Sequence, residues 1–83
     1  MSKAVKMLAF GGARDVIGTA EMDLSLVRPC SAGQLLDQVC EQFPALLPYK
    51  RSLRIAVNGA YADLAHPVAP GDEVALIPPV SGG

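Results

Sequence analysis

Tryptophan is absent, histidine occurs once, and cysteine occurs twice, at Cys30 and Cys40. Each scarcity removes a class of chemistry. The one histidine, His66, precedes Pro67 in an expected loop, where a surface or turn role outweighs a general base. There is no HExxH, no Cys–His pairing and no GxxxxGK[ST] phosphate loop. Two cysteines cannot staple a loop-rich fold, and without flanking histidines they match no zinc spacing. Charge is sparse at 18% of residues, with Lys and Arg totalling 7 and Asp and Glu 8, a formal net charge of -1. Among the basic residues discussed, only Lys50 and Arg51 adjoin, with Arg54 close by, and no aromatics interleave with them. That is too little for a phosphate-tracking surface, so nucleic acid is not an expected partner. No run approaches a membrane span. The start, Met1 to Lys6, does not read as a signal peptide, because Lys6 interrupts the apolar run and no small-residue cleavage site follows. These absences lead us to expect a cytoplasmic chain with reduced thiols, working away from membranes.

What the chain does have is apolar residue: 51% of its 83 positions are hydrophobic, enough to fill one small core. A fraction that high in so small a domain suggests that some apolar area stays open for a partner. The expected organisation is a single domain over residues 1–83, with 78–83 as an extended tail.

Val5 to Phe10 is short, apolar and stopped by Gly11-Gly12, which predicts a largely buried strand and then a turn. Ala13 to Gly18 predicts one helical turn closed by Gly18. From Thr19 to Val27, Ala20, Met22, Leu24 and Leu26 alternate with Glu21, Asp23 and Ser25, the period of a strand with one wet face. It is expected to return antiparallel beside the first. Ser31 to Phe43 is the clear helix. Ser31 and Gln34 have capping-box spacing, Cys30 stands where a hydrophobic staple would pack on Leu35, and Leu35, Leu36, Val39, Cys40 and Phe43 form one stripe. Pro44 ends it. Leu53, Ile55 and Val57 alternate as a third strand, and Asn58-Gly59 predicts a tight turn into a short edge strand over Ala60 to Asp63. Pro70-Gly71-Asp72 predicts another turn before a last strand, Glu73 to Ile77, that Pro78-Pro79 terminates. The order β-β-α-β-β implies an α+β fold, a mixed sheet packed on one main helix.

Candidate reactive groups are few. Cys40 lies on the core stripe, where free cysteine behaves as a small hydrophobe. Cys30 stands near a helix N-terminus, a position that can lower a thiol pKa. Asp72 and Glu73 are sequence neighbours and point to opposite faces of a strand, so turn solvation is the better reading than an acid–base dyad. Arg14 is expected to project from a loop. That leaves the end, Val80-Ser81-Gly82-Gly83. Neither glycine has a Cβ, so such a tip can enter a narrow channel, and Pro78-Pro79 makes a stiff, extended neck. A carboxylate is a poor electrophile until one oxygen is made a leaving group, as in an acyl-adenylate. A sulfur donor can then displace AMP and leave a thiocarboxylate, a soft nucleophile suited to delivering sulfide. On the tail alone a frayed end is the plainer reading.

Several segments together resemble the MoaD-type sulfur carriers, the small subunits of molybdopterin synthase. They are Val5 to Phe10, Arg14 to Thr19, Ile55 to Gly59, His66-Pro67-Val68, Gly71 to Val74 and, most specifically, Pro78 to Gly83. The resemblance spans nearly the whole chain and implies a β-grasp (ubiquitin-like) fold. It also implies that an E1-like enzyme adenylates Gly83 with ATP, and that a sulfurtransferase or cysteine desulfurase supplies sulfur to form the Gly83 thiocarboxylate. The tail residues Val80, Ser81 and Gly82 would then enter the large subunit, where sulfur passes to cyclic pyranopterin monophosphate to build the molybdopterin dithiolene. By the same implication the chain binds no cofactor of its own, the active site lies on the large subunit, and the assembly is a heterotetramer. Phe10, Arg14, Tyr61 and Ile77 correspond to partner-contact positions, with plain core packing the competing reading for Phe10 and Ile77. Gly11, Gly12 and Ala13 are smaller than many relatives carry there. A carrier for another acceptor such as the thiamine thiazole, and a ubiquitin-like modifier of lysines, are the alternatives.

Overall fold

The computed structural model describes residues 4–26 and 29–78. Strand β1 (Ala4–Ala9) runs into helix α1 (Gly11–Ile17), and β2 (Glu21–Ser25) returns antiparallel, Met7 opposite Met22. After the short β3 (Cys30–Ser31) comes the main helix α2 (Ala32–Gln42), then a 3-10 helix over Pro44–Tyr49. β4 (Arg54–Val57), β5 (Ala60–Ala62), the two-residue β6 (Pro67–Val68) and β7 (Glu73–Ile77) complete the order. The main sheet has five strands in the order β2-β1-β7-β4-β5. Only β1 and β7 are parallel; the other neighbours are antiparallel. The expected mixed sheet against one main helix is therefore present.

One face of the sheet is dry. Val5 and Met7 of β1, Leu24 of β2, Ile55 and Val57 of β4, and Val74 and Leu76 of β7 meet the α2 stripe of Leu35, Leu36, Val39 and Cys40 in one core cluster. Ser31 makes both arms of the capping box: its Oγ accepts from the Gln34 amide at 3.1 Å, and Gln34 Oε1 accepts from the Ser31 amide at 2.9 Å. The two amides before Gln34 are satisfied from elsewhere, Ala32 donating to the His66 carbonyl and Gly33 to that of Leu64. The loop ahead of β6 thus closes the helix end that side chains alone leave open.

Several expectations need correction. β1 is buried on one face only, with Lys6 exposed and Leu8 half-buried, because the sheet's other face carries no helix. Gly11 and Gly12 begin α1, Gly11 with a left-handed φ of 55°; the Phe10 carbonyl accepts from the Ala13 and Arg14 amides and starts the helix two residues earlier than expected. Arg14 accordingly projects from a helix and not from a loop. Gly18 closes α1 as expected, in the left-handed region, its amide donating to the Arg14 carbonyl. Ala20 lies outside β2 and is exposed, and Ala56 is 8% exposed although it shares a face with Arg54. The order β-β-α-β-β omitted α1 and the β3–β6 pair, in which Cys30 faces Val68. The Cys30 thiol pKa is pushed up by burial, so its place beside the α2 N-terminus does not activate it.

Candidate functional site

Strand parity decides which residues the sheet turns away from α2. Met7 and Val74 face the core, so their neighbours Leu8 and Ala75 face outward and stand opposite each other across the β1–β7 pair. Leu8 also pairs with Glu21, Ala75 with Ala56, and Ala56 with Tyr61. One row, Glu21–Leu8–Ala75–Ala56–Tyr61, crosses all five strands of the sheet. The next row toward the C-terminal end of β7 holds Ile77 opposite Arg54. The Phe10 amide donates to the Leu76 carbonyl at 3.3 Å, extending the parallel ladder by one step and bringing Phe10 level with Ile77.

Three of the four anticipated contact residues, Phe10, Ile77 and Tyr61, therefore share this outer face. Phe10 is 49% exposed and Tyr61 71%. Ile77 is half-buried. Phe10 ends β1 with extended backbone before the chain turns into α1, so its ring stands at the rim and not in the core. Arg14, on α1, lines with Phe10 and Leu8 a surface hollow of about 280 Å³. Leu8, Ala56, Ala75 and Arg54 belong to the same surface and were not singled out from the sequence. Alternation within each strand signals the side on which each lies, but only the register between strands brings them together.

β7 ends at Ile77, and Pro78 stands over Gly11: a Cβ on Gly11 would lie 2.9 Å from Pro78 Cγ. β7 thus ends with Ile77 in the second row of the open face and Pro78 against the start of α1. The anticipated reactive and inserting residues, Gly83, Gly82, Ser81 and Val80, and Pro79 of the neck, lie outside the described residues. Among the described residues no group of three His, Cys, Asp or Glu side chains is placed to hold a metal ion, and no helix is long and apolar enough to cross a membrane.

At the far end of the sheet Asn58 and Asp72 tie the β4–β5 turn to the β6–β7 turn. Asn58 has φ 51° and Gly59 φ 87°, both left-handed as the tight turn requires. The Asn58 side chain accepts from the Glu73 amide at 3.0 Å and donates to Asp72 Oδ1 at 3.1 Å. Asp72 Oδ2 accepts from the Ala69 amide at 2.9 Å. The Ala69 amide first, and Asn58 second, hold the Asp72 carboxyl below its ordinary range. This clamp is scaffold: it fixes the start of β7 against the β4–β5 turn.

Residues 7–83 match the ThiS family. The chain belongs to that family. A molybdopterin synthase sulfur carrier subunit from Aedes aegypti is 39% identical to this ThiS-family chain, covering 95% of it and 88% of that protein. SAMP1 from Haloferax volcanii, a small archaeal modifier protein, superposes with a TM-score of 0.81 at 29% identity, over 96% of this chain and 99% of that one. A solved complex of subunits 1 and 2 of the molybdopterin-converting factor from Helicobacter pylori contains a chain with a TM-score of 0.66 at 25% identity, covering 96% of this chain and 99% of that one. The fold of this ThiS-family member is the ubiquitin-like β-grasp.

Proposed function

We propose that this chain is the sulfur carrier subunit of a molybdopterin synthase. The observation that carries the reading is geometric: β7, the central strand of the sheet, delivers the chain to Pro78 beside an uncovered apolar face. A partner docked on that face would receive whatever follows Pro78. The name shared by the Aedes relative and the two-subunit Helicobacter complex support the same assignment.

In this reading the Gly83 carboxylate is the reacting group. An E1-like enzyme transfers AMP from ATP to one carboxylate oxygen, with loss of pyrophosphate. The persulfide of a sulfurtransferase or cysteine desulfurase then displaces AMP through its terminal sulfur, and a second thiol cleaves the resulting acyl disulfide, forming a disulfide with the donor and leaving the thiocarboxylate. The large subunit takes up Val80 to Gly83 and presents cyclic pyranopterin monophosphate, and two deliveries complete the dithiolene. The chain supplies reach, a slim tip and a docking face, while the large subunit supplies proton transfer. A cytoplasmic heterotetramer of two small and two large subunits is the assembly that the resemblance to the MoaD-type carriers implies.

Intact-mass measurement tests the reading. After incubation with ATP, the activating enzyme and a sulfur source, the chain should gain the mass of one oxygen replaced by sulfur, confined to a C-terminal peptide. A chain that never gains it under conditions that load an authentic carrier refutes the proposal. The likeness to a small archaeal modifier protein favours one second reading, attachment to lysines of other proteins. Isopeptide-linked ladders in place of the thiocarboxylate would select it.

A further inference from the structure

The open face is electrically polarised along its strands. In the row farthest from the tail, Lys6 stands between Asp23 and Glu73, and its ammonium pairs with Glu21 of the middle row at 2.9 Å. Three carboxylates surround one cation there. Roughly 13 Å away, four residues along β1 at the usual rise, the charge reverses. Arg54 shares the row of Ile77 and Phe10, and Arg14 stands on α1 beside Phe10. Among the described residues no carboxylate lies within ion-pair distance of Arg54 or Arg14, the two pairs being Lys6–Glu21 and Lys50–Asp37. Asp63, which follows β5 and lines a hollow with Arg54, accepts from the Ala65 amide through Oδ1 at 3.0 Å.

Arg54 is directly opposite Ile77 on the antiparallel β4–β7 pair, and such side chains lie about 5 Å apart at Cβ. A surface that covers Ile77 and Tyr61 therefore covers Arg54 too. Removing a guanidinium from water without a counter-charge is strongly unfavourable. Its planar fork is matched by a carboxylate that accepts two parallel hydrogen bonds.

We infer that the protein partner docking on this face carries a carboxylate that pairs with Arg54 beside the root of the tail, and that this pair sets the partner's orientation along the strands. The inference rests on the face being the docking surface of the sulfur-carrier reading and adds its polarity. The partner's footprint is then apolar at its centre and acidic at the end that receives the tail. A partner docked in the reverse sense would bring its acid against Asp23 and Glu73.

The test is titration calorimetry of the chain against the molybdopterin synthase large subunit of the same organism, with wild type, Arg54→Glu, Arg54→Gln and Arg54→Lys. Arg54→Glu should bind at least about tenfold more weakly, Arg54→Gln should fall between it and wild type, and Arg54→Lys, which keeps the charge but loses the fork, should bind more tightly than Arg54→Gln and more weakly than wild type. Thermal midpoints should all match wild type, because Arg54 makes no ion pair among the described residues; Arg54→Gln carries the test if the reversal variant does not fold. Wild-type affinity should fall with added salt, and that slope should flatten in Arg54→Glu. Equal binding by wild type and Arg54→Glu overturns the inference and leaves the carrier reading standing, as does an equal loss in Arg54→Lys. A wild-type chain that fails to bind the large subunit overturns both. A wild-type homodimer dispersed by Arg54→Glu overturns the inference in favour of a second copy of the chain.

Discussion

Replacing Phe10 by aspartate separates docking from folding. Phe10 is 49% exposed, whereas Met7, three residues earlier on the opposite face of β1, is 1% exposed. A phenylalanine buries roughly 200 Å² when fully covered, so about 100 Å² remains for a partner. At about 25 cal/mol per Å² that area contributes about 2.5 kcal/mol to binding. An unpaired carboxylate in its place adds about 1–3 kcal/mol more against association. The sum, about 3.5–5.5 kcal/mol, corresponds to roughly a few hundredfold to ten-thousandfold in Kd. The folded state loses only the half already packed, less what the remaining Cβ retains, about 1–2 kcal/mol by the same area argument. Met7→Ala should reverse the pattern, costing about 2–5 kcal/mol of stability with unchanged affinity of the folded fraction. Urea titrations give the first quantity and calorimetry against the large subunit the second. Equal losses of stability and binding in Phe10→Asp would make Phe10 a core residue; affinity within twofold of wild type would remove it from the interface.

Deleting Gly83, or appending one residue after it, should abolish thiocarboxylate formation by intact mass while leaving the thermal midpoint unchanged; retained molybdopterin synthesis by the deletion would refute the mechanism. Ser31→Ala removes the hydroxyl that accepts from Gln34, and should cost about 0.5–2 kcal/mol in denaturant unfolding. Asp72 has a folded pKa below its ordinary value of 3.8, so its stabilisation is present above that value and is lost as pH falls through the folded pKa. Asp72→Asn should therefore melt below wild type at neutral pH, and the gap should close on acidification; a gap constant with pH contradicts the hydrogen-bond account.

Local chemistry was legible in the sequence wherever the interaction itself is local. Ser31 and Gln34 bond each other across one turn, Asn58 and Gly59 take left-handed angles that an asparagine and a residue without Cβ tolerate, and the Asp72 amide closes the Ala69–Asp72 turn onto the Ala69 carbonyl. Glu73–Ile77 ends at the first proline for the same reason. What was not legible depends on partners distant in sequence. Two-residue strands such as Cys30–Ser31 and Pro67–Val68 have no period to detect. Gly11 and Gly12 are poor helix formers, and what Gly11 packs against is Pro78, far along the chain, where a Cβ on Gly11 would lie 2.9 Å from Pro78 Cγ. The open face was half visible. Alternation placed Arg54 and Ala56 on one side, but joining them to Leu8, Ala75 and Phe10 requires the parallel register of β1 with β7.

That register also sets when the protein becomes competent. Met7 finds its neighbour in Val74, so the first strand made has a vacant edge until the last one emerges from the ribosome. Non-local closure of this kind is slow compared with forming a helix or hairpin. The late strand is also the one that leads into the neck. In the proposed sulfur-carrier reading, a nascent or misfolded chain without β7 in place would therefore lack both a finished docking face and the strand that precedes the tail. An activating enzyme that reads both together would discriminate against unfinished molecules with no separate checkpoint.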